Sequence, residues 1–360
     1  MNRHPLARGF ATLGLLSLGA LLLSPAAVAD QSCKAPELRR ELMPHFAQCP
    51  NNTMSFVIGY NPGGNTDTVG RFFQSYLETI ATDSGATAPA FNTVIESKPG
   101  ASGEIGSRYV VDAEGKAVAC RLLVAQSNQL TTNKFGVPNA INPQTDLKVI
   151  AQLGEAPLVL AVNARTSPHK AFADFEKYVR SGGDRVFYGS NGNYATDHLA
   201  MEILLHNMGT KAIHVPFTGS GPMIQSLLSG SDKGIDFALV SVGLIRAYLL
   251  DGRLRAIGVA RPEEIRLVRG DGQPPLVIEP ISRFVPEFQY ASMWVALAGN
   301  RKMPDAVGSA MGRAVQCFAE NPKVRQTLTG EMMFELGGSR ELLLRRMQNE
   351  SVAAMGRFGG

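Results

Sequence analysis

Tyr60-Asn61-Pro62-Gly63-Gly64-Asn65-Thr66-Asp67 lies between an apolar run, Phe56-Val57-Ile58, and a segment carrying Val69, Phe72, Phe73, Tyr76, Leu77 and Ile80 at helical spacing. The pattern is strand, tight turn, amphipathic helix. Adjacent glycines let the main chain approach a guest with no Cβ in between. The first turn of the helix offers unpaired N–H groups and the positive end of its dipole. Together these hold small anions.

The same succession recurs outward from this stretch. Phe91 to Ile95 reads as a strand ahead of the loop Pro99 to Gly106, and Arg121 to Ala125 as a strand ending in Gln126-Ser127-Asn128. Val186-Phe187-Tyr188 leads into Gly189 to Asp197, and Ile213 to Phe217 into Thr218-Gly219-Ser220-Gly221. Further strands are expected at Leu158 to Val162, Ile235 to Val240, Leu254 to Val259 and Met293 to Leu297. Strands alternating with helices predict an α/β protein with parallel sheets. Between Arg261 and Gln289 the chain is rich in proline and charge and has no clean period.

The N-terminus carries Arg3 and Arg8, an apolar run from Phe10 to Leu23, and Ala27-Val28-Ala29. This is the layout of a secretory signal, with cleavage expected before Asp30 and a periplasmic product. The run is shorter than the roughly 20 residues that span a bilayer. About 330 residues remain, enough for two α/β domains. The net charge of +4 falls to +2 once Arg3 and Arg8 are removed, and no basic stripe points to nucleic acid. Residues 30–52 read as a polar N-terminal extension, residues 53–146 plus 251–360 as domain 1, and 147–250 as domain 2.

Cys33, Cys49, Cys120 and Cys317 fall in the exported region, where disulfides form. Four cysteines allow three pairings. The expectation is Cys33–Cys49, both within the extension, with Cys120–Cys317 as the second bridge. No C-x-x-C or H-E-x-x-H is present, and Gly100, Gly103 and Gly106 lack the Lys-Ser/Thr of a P-loop. No metal or cofactor is expected. There is no G-x-S-x-G, and Ser167-Pro168-His169-Lys170 matches S-x-x-K by letter only.

Ligands of open α/β sheets collect beyond the carboxyl ends of the strands. The expected contacts are Tyr60, Asn61, Gly63, Gly64, Thr66 and Asp67 from the first loop and Ser127 after the third strand. Ser190, Asn191, Asn193 and Thr196 come from the second loop, and Thr218 from the third. Three or four charge-assisted hydrogen bonds at roughly 1.5–3 kcal/mol each would supply most of the ~8 kcal/mol of a micromolar complex. Asp67 and Asp197 sit where they cap their own helices and repel an anion. His198 is expected to brace its loop.

In this order the motifs resemble the substrate-binding receptors of tripartite tricarboxylate transporters, the Bug receptors. Pro62-Gly63-Gly64 with Asp67 and Arg71, Glu96 before Pro99-Gly100-Ala101-Ser102-Gly103, Tyr188 to Ala200, Val215 to Gly219, and Trp294 carry the resemblance. It implies a two-domain periplasmic binding protein of type II, a Venus flytrap with parallel-rich mixed sheets flanked by helices. It also implies a monomer that presents a di-, tri- or aromatic carboxylate to membrane permease subunits. Departures are Ala119-Cys120-Arg121 in place of Asp-Gly-Tyr, a missing proline-threonine signature after Arg261, and Val240 where the family often has an acid. With Tyr60, Tyr194 and Phe217 nearby, Val240 favours a less polar acid. Competing readings are a co-receptor that hands the acid to a sensor kinase, and a periplasmic hydrolase working through Ser190 or Ser220.

Overall fold

The computed structural model describes residues 33–82, 90–167, 169–182, 185–230, 234–270, 272–288 and 292–358. The segment expected as a secretory signal, residues 1–29, lies outside them. Twelve strands are present among the described residues: β1 Thr53–Ile58, β2 Asn92–Ser97, β3 Arg121–Gln126, β4 Leu147–Asn163, β5 Phe187–Ser190, β6 Ile213–Pro216, β7 Phe237–Ser241, β8 Leu254–Val259, β9 Ile265–Leu267, β10 Leu276–Ile278, β11 Ser292–Asn300 and β12 Glu335–Leu336. The helices of eight residues or more are α1 Ala35–Ala47, α2 Asn65–Thr82, α3 Glu104–Val111, α4 Phe172–Gly182, α5 Thr196–Asn207, α6 Ser220–Ser229, α7 Val242–Leu250, α8 Asp305–Glu320 and α9 Arg340–Phe358.

The strands lie in the order β2-β1-β3-β11-β4-β7-β5-β6, with β8 and β12 also on β4. β1 is parallel to β2 and β3, and β5 is parallel to β6 and β7. β11 runs antiparallel to β3 and β4, and β4 antiparallel to β7 and β8. The sheet is therefore mixed with two parallel halves, as a chain of βα units closed by returning strands requires.

β4 joins the halves. Its residues 147–157 pair with β11, and residues 158–163 pair with β7 and β8. Nearly every residue of β4 is buried, the mark of a strand covered on both faces. One lobe packs Phe56, Phe73, Ile150, Leu153, Val295 and Phe318 into a single core. The other packs Leu158, Phe175, Tyr188, Phe237, Ile257 and Phe288. The boundaries expected at residues 147 and 251 move accordingly. The start of β4 belongs with the first core, and β8 through Phe288 with the second. The chain crosses near Pro157–Leu158 and again within β11, where Met293 packs in the second core and Val295 in the first.

The segment expected as a polar extension instead contains α1, whose Leu38, Leu42 and Phe46 are fully buried in the first core. Phe46 stacks on Phe91 with ring centroids 4.1 Å apart. The expected disulfides are also corrected: Cys33 pairs with Cys317, and Cys49 with Cys120. The 13 residues of α1 separate Cys33 from Cys49. A helix of that length is about 20 Å long, far beyond the ~7 Å limit on Cα separation in a disulfide.

Candidate functional site

The carboxyl ends of β1, β3, β5, β6 and β7 point at one seam between the lobes, and hydrogen bonds between short polar side chains close it. From the first lobe, Asn61 donates its N–H to Thr218 O at 3.0 Å and its side-chain amide to Thr218 Oγ1 at 2.6 Å. Asn65 Nδ2 donates to Ser241 Oγ at 2.5 Å. Ser127 Oγ lies 2.6 Å from Thr196 Oγ1. Ser102 Oγ donates to Asn193 O at 2.7 Å, and Thr132 Oγ1 to Tyr194 O at 2.7 Å. A Cβ on Gly64 would lie 3.7 Å from Ser220 Oγ. The lobes are closed on each other at this seam.

Of the expected contacts, Asn61, Gly64, Ser127, Asn193, Thr196 and Thr218 therefore meet the opposite lobe, Asn193 through its carbonyl. Tyr60 stands behind them. It is buried, its hydroxyl is held by Ser102 O at 2.8 Å and Asn128 Oδ1 at 3.0 Å, and burial raises its pKa. This hydroxyl and the amides of Asn128 and Asn133 fix Ser102 in a left-handed turn at φ 54°. Asn133 Nδ2 also donates to Glu104 Oε1 at 2.7 Å, and burial raises the pKa of that carboxyl.

Ser190 is buried within its own lobe. Its Oγ lies 2.6 Å from His214 Nε2 and 3.1 Å from both the N–H and the carbonyl of Gly192. Those three partners surround the hydroxyl and make it a brace for the Gly192 turn. His198 does what the sequence suggested, its Nδ1 accepting the Tyr194 N–H at 3.1 Å. His198 and His214 stack with centroids 4.0 Å apart, and burial pushes both down to about 4.

The loop amides are not all free for a guest. Asp67 Oδ2 accepts the N–H of Gly63 at 3.0 Å while Oδ1 accepts from Arg71 at 2.9 Å. Asp197 Oδ2 accepts the N–H and the side-chain amide of Asn191, each at 2.9 Å. A carboxylate in the first turn of a helix reaches back over the preceding loop, which is why each acid takes its own loop's amide. Gly63, at φ 86°, supplies the turn. The first main-chain bond of α2 runs from Thr68 N–H to Gly64 O, so the N–H groups of residues 65–67 precede it and remain for a ligand.

Three buried polar atoms at the seam have no hydrogen-bond partner: Asn65 Oδ1, Thr66 Oγ1 and Asp197 Oδ1. Buried polar groups are nearly always paired, so their gathering at two facing helix starts makes the seam the candidate site. Ser241 Oγ can donate as well as accept, so a half-turn of the Asn65 amide presents N–H in place of Oδ1. Asn65, Ser102, Thr132, Ser220 and Ser241 were absent from the expected contacts. Ser220 donates to Asn191 Oδ1 at 3.0 Å. Ser241 was legible by position, as the last residue of a strand. Val240, read as facing the cleft, packs in the apolar core with Val159 and Ile245, because neighbours on a strand point to opposite faces. It says nothing about the guest.

Two α/β lobes linked through shared strands and meeting at polar strand-end loops define a type II periplasmic binding-protein fold. The chain belongs to the tripartite tricarboxylate transporter receptor family, whose model matches residues 81–357. It is 23% identical over 306 residues to a UPF0065 protein of Bordetella pertussis, covering 85% of this chain and 88% of that one. Among solved structures it is similar to MatC of Rhodopseudomonas palustris with bound malate, with a TM-score of 0.70, 23% identity and coverage of 84% and 97% of the two chains. It is likewise similar to Rpa4515 of the same organism with adipate, with a TM-score of 0.72, 22% identity and coverage of 85% and 97%.

Proposed function

We propose that this chain is a periplasmic receptor that closes its lobes on a small organic carboxylate at the seam and delivers it to membrane permease subunits. The observation that carries the reading is the cluster at the seam: three unpartnered buried polar atoms, framed by hydrogen bonds from one lobe to the other. A guest touching both lobes favours the closed state, because it makes all its contacts only there. Family membership and the malate and adipate in the similar receptors support a carboxylate as that guest. The amide of Asn65, the Thr66 hydroxyl and the first-turn N–H groups of α2 are the proposed contacts from the first lobe. Thr196, Asp197 and Ser220 are those from the second. No lysine or arginine takes part in the cross-lobe bonds described above.

A thermal-shift panel of aliphatic, hydroxy and aromatic acids tests the reading, since a ligand that binds only the folded state raises the melting temperature by mass action. No shift with any carboxylate at millimolar concentration refutes it. Gly64→Val gives a sharper check. A Cβ at Gly64 makes ordinary contacts with Ser220 and with Asn61 O, but the two further methyl groups of valine wedge the lobes apart. The expected result is at least about a tenfold loss of affinity, or 1.4 kcal/mol, with an unchanged melting temperature in the absence of ligand. Calorimetric titration reads it, and full affinity in this variant removes the first loop from the site.

A further inference from the structure

Asp197 is 0% exposed, and its two oxygens lead different lives. Oδ2 is held by Asn191, whereas Oδ1 has no hydrogen-bond partner among the described residues. It sits beside the cross-lobe contact of Thr196 with Ser127, and its charge is felt at the Tyr60 hydroxyl across the seam. The titratable groups that feel its charge are Tyr60 from the first lobe and Tyr188 from β5, with His198 next to it on α5; beyond these, His214 from β6 stacks on His198 and Glu202 from α5 holds Tyr188. Both histidines are neutral at physiological pH, and the Tyr188 hydroxyl is bonded to Glu202. No cation among these groups compensates a charged Asp197.

A guest carboxylate entering the seam would therefore face a second buried negative charge. Two like charges in a water-poor site do not both persist, and one takes a proton. Resting on the receptor reading above, we propose that Asp197 receives the guest as a neutral carboxylic acid, so that the bound complex holds one proton, shared between Asp197 Oδ1 and a carboxylate oxygen of the guest. The proton comes from solvent, and the resulting O–H···O⁻ contact is of the strong, charge-assisted kind. Burial pushes the Asp197 carboxyl up to about 7, against the pull of the N–H groups of Asn191, Asp197 and His198 and of the Asn191 side chain. The proton is therefore available at modest cost near neutral pH.

The test is calorimetric titration with malate, adipate and benzoate at pH 6 and pH 8, on the wild type and on Asp197→Asn. Wild-type affinity is expected to be about tenfold weaker at pH 8, since one unit above its midpoint a site that must be protonated loses a factor of ten. Asp197→Asn is expected to lose this dependence and to bind at pH 8 about as tightly as the wild type at pH 6. Flat wild-type affinity across that range overturns the proposal. So does a uniform loss of affinity in Asp197→Asn, which would mean that the charged carboxylate accepts a donor from the guest. Should the variant fail to fold, the wild-type profile decides alone. If no probe binds at either pH, the receptor reading fails instead. The carboxyl ¹³C titration of the ligand-free protein tests Asp197 separately: a midpoint below about 5 overturns the proposal whatever the probes do.

Discussion

Arg346→Met lowers the stability of the folded protein by about 3–5 kcal/mol at neutral pH, the usual consequence of stripping one partner from a buried ion cluster. Arg346 projects from α9 onto the strands that cross between the lobes. Its guanidinium forks onto both oxygens of Glu155 in β4, with Nη2 3.1 Å from Oε1, and Nη2 also donates to Ser292 Oγ at 2.6 Å. Nε donates to Glu350 Oε1 at 2.8 Å, an oxygen that also accepts the Trp294 indole N–H at 2.8 Å. The Glu155 side chain is 11% exposed and that of Arg346 24%. Burial opposes the Arg346 charge, yet Glu155 and Glu350 more than offset it and hold its pKa up. Without it two carboxylates share one apolar neighbourhood.

The pH dependence of that loss follows from Glu350. Its carboxyl is already raised above 4.5 by burial, with Arg346 and Trp294 pulling it down. Removing Arg346 raises it further. A raised acid contributes stability that is complete below its unfolded pKa and is lost as pH rises through the folded one. The deficit of Arg346→Met is therefore largest at pH 7–8 and shrinks toward pH 5. Arg346→Lys keeps the charge but not the fork and should fall between the two. Urea unfolding at both pH values measures this, and equal midpoints for variant and wild type at pH 7.5 would rule out the cluster as a brace of the crossing strands.

What the sequence made legible were features decided locally. The turn at Gly63-Gly64, the helices behind Asn65 and Thr196, and the strand before Ser127 each follow from period and glycine placement, and the carboxyl-end rule then assembled Asn61, Ser127, Thr196 and Thr218 at one seam. Features set by tertiary contact were not legible. Only Leu158 to Val162 showed as a strand, whereas β4 spans 17 residues. Its first half carries Lys148 and Glu155, whose partners Asp305 and Arg346 lie far along the chain. The two aspartates illustrate a different limit. Their positions in the first turns predicted capping, but only coordinates show that Asp67 takes the Gly63 amide while Asp197 leaves one oxygen bare. Ser102 is not legible as a contact from its motif, since a left-handed serine held by Tyr60, Asn128 and Asn133 leaves no periodic trace.

Removing either disulfide is expected to cost about 2–5 kcal/mol, because each closes a long loop in the unfolded chain. Cys33–Cys317 spans a sequence separation of 284 residues and Cys49–Cys120 one of 71. Loop length alone makes the first stronger by about 1 kcal/mol, since closure entropy grows only with the logarithm of length. The native contacts they secure are those of α1, which is tied at both ends, to α8 through Cys317 and to the start of β3 through Cys120. Between those ties Leu38, Leu42 and Phe46 bury the helix in the core. Paired alanine substitutions at Cys33 and Cys317, and separately at Cys49 and Cys120, test both the connectivity and the magnitude by guanidinium unfolding. Each pair should leave the other bridge intact, so thiol titration of the denatured variants detects no free cysteine. Free thiols in either double variant would mean that the cysteines pair differently, and an unchanged unfolding midpoint would mean that the packing of α1 holds without its ties.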